Sequence, residues 1–169
     1  PWAIGATCNG VRVWSVYCPN GREPSHDHYR YKLEWFTALN VTAKSEIADH
    51  PDLPFAVIGD YNIAPTDEDV WDIEKFVDST HVTLAERAAL TDLEAMGLIE
   101  TVPRSLKGEP YTFWDYRNGS FHRGWGMRID LVYGNQVFTS LVQDSYVDRD
   151  ARKGKGASDH APVVVDLDL

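Results

Sequence analysis

Apolar and polar positions follow two periods along this chain, and the changes from one period to the other mark its elements. Two β-prone runs flank Asn9-Gly10, the dipeptide most favoured in a two-residue hairpin turn, so a hairpin pairing Cys8 with Val11 is predicted. The first run is read as starting inside a strand at Pro1-Trp2-Ala3-Ile4, and the second ends at Tyr17-Cys18 before Pro19-Asn20-Gly21 breaks it. From Tyr29 to Asp49 the period lengthens. Leu33, Phe36, Leu39, Ala43 and Ile47 recur at helical spacing until Pro51 stops them. The run Phe55-Ala56-Val57-Ile58 then reads as a buried strand, and Thr66 or Asp67 as an N-cap. A second helix is predicted over Thr83–Met96, with Leu84, Ala88, Leu90, Leu93 and Met96 as its buried stripe and Gly97 as its C-cap. Strand-like runs follow at Leu98–Val102, Met127–Tyr133 and Val163–Leu167, so the alternation predicts an α/β architecture.

Composition narrows what this alternation can be. With 169 residues, 43% of them hydrophobic, the chain is long enough for one packed domain over 1–169 and too short for two ordinary ones. It contains no apolar run near the length of a membrane span and no signal-peptide series, so a soluble cytoplasmic domain with no membrane partner is expected. An opening that lacks Met and starts within a strand suggests that the natural N-terminus lies elsewhere. A net charge of −10 argues against non-specific polyanion binding, although basic residues gather late, at Arg117, Arg123, Arg128, Arg149, Arg152, Lys153 and Lys155. Cys8 and Cys18 fall far apart in the hairpin, and both read as reduced thiols.

Candidate chemistry lies at two strand ends. Gly59-Asp60-Tyr61-Asn62 follows the run Phe55–Ile58, and Ser158-Asp159-His160-Ala161-Pro162 opens into Val163–Leu167. An acid with a polar neighbour at each place is the material of a hydrolytic, metal-dependent site. Asp60 and Asn62, two apart on an extended segment, would point into one cleft. Taken alone, the first pair also reads as an Asx turn.

Together with Tyr111-Thr112-Phe113-Trp114-Asp115-Tyr116-Arg117, Arg128-Ile129-Asp130-Leu131 and Tyr17-Cys18-Pro19-Asn20-Gly21, these blocks resemble the exonuclease III family of abasic-site endonucleases, within the endonuclease/exonuclease/phosphatase superfamily. They occur in the family's order and span nearly the whole chain. The resemblance implies a four-layer α/β sandwich, two packed mixed sheets flanked by helices, of which this chain is the C-terminal portion. An early strand ending in Asn and a metal-binding Glu have no counterpart before Tyr17. The missing N-terminal portion of the same protein would therefore be needed to complete the site.

The resemblance also implies roles. Asp60 is the acid/base that activates water, and Asn62 holds water or phosphate near the metal. His160 bonds the scissile phosphate with its ring oriented by Asp130, and Tyr17 contacts that phosphate through its hydroxyl or phenolate. Asp159 joins Asp60, Asn62 and His160 around magnesium, for which manganese would substitute. Asn20 meets a backbone phosphate; Phe113, Trp114, Met127 and Ile129 line a pocket for a flipped-out abasic sugar; Arg117 and Arg128 grip flanking phosphates. His26, His28, His50, His81 and His122 have no comparable partners in the sequence. The function expected is magnesium-dependent hydrolysis of duplex DNA, 5′ to abasic sites and at 3′ ends. A phosphatase acting on a small phosphoester and a non-catalytic DNA-binding fragment are the alternatives.

Overall fold

The computed structural model describes residues 3–169, so the placement of Pro1 and Trp2 in the first strand lies outside the described residues. β1 (Ala3–Cys8) and β2 (Val11–Tyr17) form the expected hairpin, with Cys8 opposite Val11. Asn9 and Gly10 both take positive φ, 48° and 82°, the handedness that lets a two-residue turn follow the twist of its strands. Both thiols are free, Cys8 exposed and Cys18 buried.

α1 (Asp27–Asp49) is capped by the His26 ring, which accepts from the His28 N–H, and it buries Lys32, Phe36, Leu39 and Ala43 on one stripe. α2 (Leu84–Ala95) starts in a capping box in which Thr83 and Glu86 exchange bonds. Its buried stripe is Glu86, Ala89, Leu90 and Leu93. This corrects the predicted stripe: Leu84 is 86% exposed, because the inward-turned Glu86 carboxylate sets which face of α2 meets the sheet.

Between the helices runs β3 (Phe55–Asp60), joined later by β4 (Ile99–Glu100) and β6 (Asp130–Gly134) in a five-stranded mixed sheet of order β1-β2-β3-β6-β4. β1 lies at its edge, all six residues exposed. Phe36, Leu39, Leu90 and Leu93 pack from the helices onto Val57, Tyr61, Leu131 and Tyr133 of one sheet face. A second sheet, β5 (Arg104–Ser105), β7 (Val142–Val147) and β8 (Val163–Leu167), is also mixed, with order β5-β7-β8. Its Val142, Val163, Val165 and Leu167 face Val11, Ala56 and Val132 across Phe138 of α3 (Gln136–Leu141). Two mixed sheets thus pack face to face, with the long helices outside the larger one, as expected. No helix among the described residues is long and apolar enough to cross a membrane.

Two antiparallel facts about this core position the site. Asp60, the last residue of β3, pairs with Asp130, the first of β6. Phe113 bridges both Met127 and His160, which brings the segment before β8 alongside the approach to β6.

Candidate active site

Asp60 and Asp130 stand side by side because β3 and β6 are antiparallel and in register there. On its other side β3 lies close against β2 at Gly59: its φ is +136°, and a Cβ built on it would lie 2.0 Å from the Val16 carbonyl oxygen. Beyond Asp60 the chain does not stay extended, as the sequence reading assumed. Asn62 takes φ +50°, and the turn lets its N–H donate to Asp60 Oδ1 (2.8 Å) and its Nδ2 to Asp60 Oδ2 (3.0 Å). Asn62 Nδ2 also donates to the Cys18 carbonyl (2.9 Å), and Asn20 Nδ2 donates to Asn62 Oδ1 (3.2 Å). The Asx-turn reading and the cleft reading therefore describe the same atoms.

His160 faces this pair from the other strand end. Its Nδ1 lies 2.8 Å from Asp130 Oδ2 and its Nε2 lies 4.0 Å from Asp60 Oδ2. Burial pushes the imidazole toward neutrality, but the Asp130 hydrogen bond, the Asp130 charge and the charges of Asp60 and Asp159 together raise its pKa above the ordinary value. Burial and the Asp130 charge push the Asp60 carboxyl up to about 7, against the bonds from Asn62 and the attraction of His160. Tyr17 ends β2 opposite Asp60 and is 44% exposed. Burial and the Asp60 charge raise its pKa, so the group presented is the hydroxyl rather than the phenolate. Asp159 is half-buried, and its backbone carbonyl accepts from the Trp114 N–H (2.9 Å).

Residues 1–160 match the endonuclease/exonuclease/phosphatase family model. The chain belongs to that family. Among its relatives, an exodeoxyribonuclease of Streptococcus pneumoniae is 32% identical over 123 residues, 69% of this chain and 42% of that protein. A DNA-(apurinic or apyrimidinic site) endonuclease of Dictyostelium discoideum is 27% identical over 160 residues, 93% of this chain and 43% of that protein. A solved 3′-5′ exonuclease of Neisseria meningitidis superposes with TM-score 0.91 at 36% identity, covering 99% of this chain and 65% of that one. An AP endonuclease of Archaeoglobus fulgidus gives TM-score 0.89 at 28% identity with the same coverages. The chain thus spans less than half the length of these sequence relatives and about two thirds of these structures.

Within this family frame, the aromatic and basic residues sort differently from the sequence reading. Phe113 is half-buried, its ring centroid 5.0 Å from that of His160, and it lines a cavity of about 360 Å³ with Met127, Trp71, Phe76 and Trp125. Trp114 and Ile129 are core residues, 1% and 2% exposed, and Trp114 packs edge-on against Phe121. Arg117 is exposed at the cavity mouth and pairs with Asp115. Arg128 corrects the expectation of a phosphate grip. It is 3% exposed and bonded to Asp69 and Glu100, two carboxylates turned inward whose burial its charge and donors offset.

The sequence reading missed two sets of residues. Trp71 and Trp125 stack at 4.9 Å on the cavity wall, and nothing in their spacing, more than fifty residues apart, announces the contact. Lys32, Glu86 and His81 lie beneath Asn62, and the idea that His81 lacks a partner is overturned by its Nδ1, 2.6 Å from the Asn62 carbonyl oxygen. A signal for the first two did exist, since Lys32 occupies the apolar stripe of α1 four residues before Phe36, and Thr83-Leu84-Ala85-Glu86 is a capping-box sequence.

Proposed function

We propose that this chain is the C-terminal portion of a DNA repair nuclease that hydrolyses phosphodiesters 5′ to abasic sites and trims 3′ ends of duplex DNA, acting in the cytoplasm. The observation that carries the reading is the pairing of Asp60, oriented by Asn62, with His160, oriented by Asp130, beside an aromatic cavity. A carboxyl held near neutrality can take a proton from water and return it, which is what general acid/base work requires. Asp130 accepts from Nδ1–H and so turns Nε2 to the cleft, and the raised pKa of His160 favours the imidazolium, whose Nε2–H would donate to a phosphoryl oxygen. The Tyr17 hydroxyl lies on the same strand-end row and supplies a second donor to that oxygen. Asn20, held through Asn62, would meet a neighbouring backbone phosphate.

The fit of a divalent ion rests on the donor set. Asp60, Asn62 and Asp159 offer hard oxygen donors and His160 an imidazole, yet no group of three His, Cys, Asp or Glu among the described residues is arranged to hold a metal. Magnesium is ordinarily held by one or two carboxylates with waters and substrate phosphate completing its shell, so this partial set fits magnesium, with manganese as substitute. When bound, such an ion would offset charge building on the phosphoryl oxygens.

The abasic sugar would enter the cavity of Phe113, Met127, Trp71, Phe76 and Trp125, with Arg117 at its mouth. Residues 1–169 are then one endonuclease domain, incomplete at its N-terminus. An apolar cavity of about 530 Å³ between the two sheets, lined by Val13, Ile58, Phe138, Val163 and Val165 and reaching Asp130 and His160, supports that assignment. Segments preceding this chain would fill it and pair with β8, which has a neighbour on one side only among the described residues.

The test is cleavage of a duplex carrying one synthetic abasic site, with magnesium or chelator, by this chain, its Asp60→Asn variant and the completed protein. Incision by the completed protein that needs both magnesium and Asp60 supports the reading. Abasic-duplex binding without incision favours a non-catalytic DNA-binding fragment, and release of phosphate from small phosphoesters instead favours a phosphatase.

A further inference from the structure

An ammonium group is seldom left fully buried, because taking it out of water costs several kcal/mol that a partner must offset. Lys32 is such a group, 0% exposed on the inner stripe of α1. Its three donors have three acceptors: Glu86 Oε1 at 2.5 Å, the Asn62 carbonyl oxygen at 2.5 Å and Thr80 Oγ1 at 3.5 Å. Glu86 is equally buried, and each oxygen takes further bonds, Oε1 from Thr80 Oγ1 and the His81 N–H, Oε2 from the Thr83 N–H and hydroxyl. Burial alone would raise the Glu86 carboxyl, but the Lys32 charge and these bonds hold it below its ordinary range, so the carboxylate is the form that faces Lys32.

A plain core would be served as well by two apolar side chains of similar volume. What the pair adds is a second bond on the carbonyl of Asn62, which His81 Nδ1–H also reaches from the other side. Asn62 sits at φ +50°, a conformation that costs an L residue free energy even where Asn tolerates it best. The residue is gripped on both sides of its Cα, the N–H by Asp60 Oδ1 and the carbonyl by Lys32 and His81. The two bonds that fix the Asp60 carboxylate both come from Asn62. Release of the carbonyl therefore frees the turn, and with it the carboxylate.

We propose that Lys32, with Glu86 as its counter-ion and His81 as a second donor, is a positioning residue that locks the Asn62 peptide and thereby sets the direction of the Asp60 carboxylate. This rests on the nuclease reading above, and its test has a readout independent of turnover. Lys32→Met combined with Glu86→Gln removes both charges at once while Gln keeps the capping-box acceptor, so the protein is left without an unpaired buried ion.

In the completed protein the paired variant should lower kcat on the abasic duplex roughly 10- to 100-fold, the scale of a small misplacement of a reacting group, with KM held within about twofold. Amide exchange at Asn62 should accelerate at least about tenfold while that of Phe36 and Leu90 is unchanged. An undiminished kcat in a folded paired variant or unaltered Asn62 exchange would each overturn the proposal. Should the paired variant fail to fold, His81→Ala removes one donor and leaves the ion pair intact. It should still speed Asn62 exchange and lower kcat about 3- to 10-fold, and no change in either overturns the proposal too. A completed wild-type protein without turnover defeats the nuclease reading alone, because Asn62 exchange still decides whether Lys32 positions the turn.

Discussion

Arg128→Met is the substitution that separates a guanidinium gripping DNA from one holding the protein together. Arg128 Nε and Nη2 donate to the two oxygens of Asp69 at 2.6 and 3.1 Å, and Nη1 donates to Glu100. Asp69 also accepts from the Thr66 N–H and hydroxyl, so the guanidinium ties the 66–72 segment to the approach of β6. Trp71, whose N–H donates to the Gly126 carbonyl (3.1 Å), hangs from that segment. Removing the cation leaves two carboxylates buried, a situation that costs about 3–5 kcal/mol. The lower end applies here, because burial already holds the Glu100 carboxyl above its ordinary range despite the guanidinium, and it can take up a proton. About 3 kcal/mol corresponds to a fall in Tm of roughly 6–12 °C for a domain of this size.

Urea unfolding monitored by tryptophan fluorescence gives the comparison, with the slope m unchanged and the midpoint lowered. Arg128→Met/Asp69→Asn/Glu100→Gln, which deletes the whole charge set, should recover most of the loss. A direct phosphate contact predicts the opposite pattern: stability within about 0.5 kcal/mol of the wild type and a salt slope of DNA binding reduced by about 0.9. That pattern would refute the buried-clamp reasoning.

Gly59→Ala places a methyl against the Val16 carbonyl at a backbone conformation alanine avoids, and it should cost about 3 kcal/mol in the same unfolding assay; a loss below about 1 kcal/mol would show that β3 can shift there. Asp60 holds its proton up to about pH 7 in the folded chain, whereas the unfolded chain releases it near 3.8, so the stability this group contributes is complete below about pH 4 and is lost as pH rises through 7. In chelator, Asp60→Asn should therefore match wild type near pH 4 and exceed it increasingly up to pH 8, and magnesium should stabilise wild type but not the variant. A pH-independent difference, or equal response to magnesium, contradicts this. Asp130→Asn replaces the carboxylate facing His160 Nδ1 with a neutral amide whose NH2 can turn to that nitrogen, and should lower kcat of the completed protein by about 10²-fold or more, with KM little changed; a loss below about threefold would leave Asp130 without an orienting role.

Local rules carried much of this architecture. The Asn9-Gly10 hairpin, α1 and the strand ending at Asp60 follow from turn chemistry and periodicity, because each element's pattern agrees with its tertiary surroundings. Asp60, Asn62, Asp130 and His160 were legible as a set through family-like motifs, and the structure brings those four together. Legibility failed where side chains are placed by distant partners. Arg128 looks like a surface cation until Asp69, fifty-nine residues away, is seen to face it. The α2 stripe held at Leu90, Leu93 and Met96 but was misplaced at Leu84 and Ala88, because a helix face containing Glu86 reads as polar and only Lys32 on another helix makes it buried. Trp114 and Ile129 read as pocket residues from their motifs, while the actual cavity wall came from Trp71, Phe76 and Trp125 in segments without such motifs.

β1 carries a practical consequence for handling this chain. Its sequence, Ala3-Ile4-Gly5-Ala6-Thr7-Cys8, has no charge and no proline, and its outer edge has no strand partner among the described residues. Proteins usually blunt such edges with lysine, proline or a bulge, since bare main-chain donors and acceptors recruit strands from other molecules. Copies of the isolated chain are therefore set to zip together along β1, and Thr7→Lys should delay turbidity on concentration without changing the unfolding midpoint.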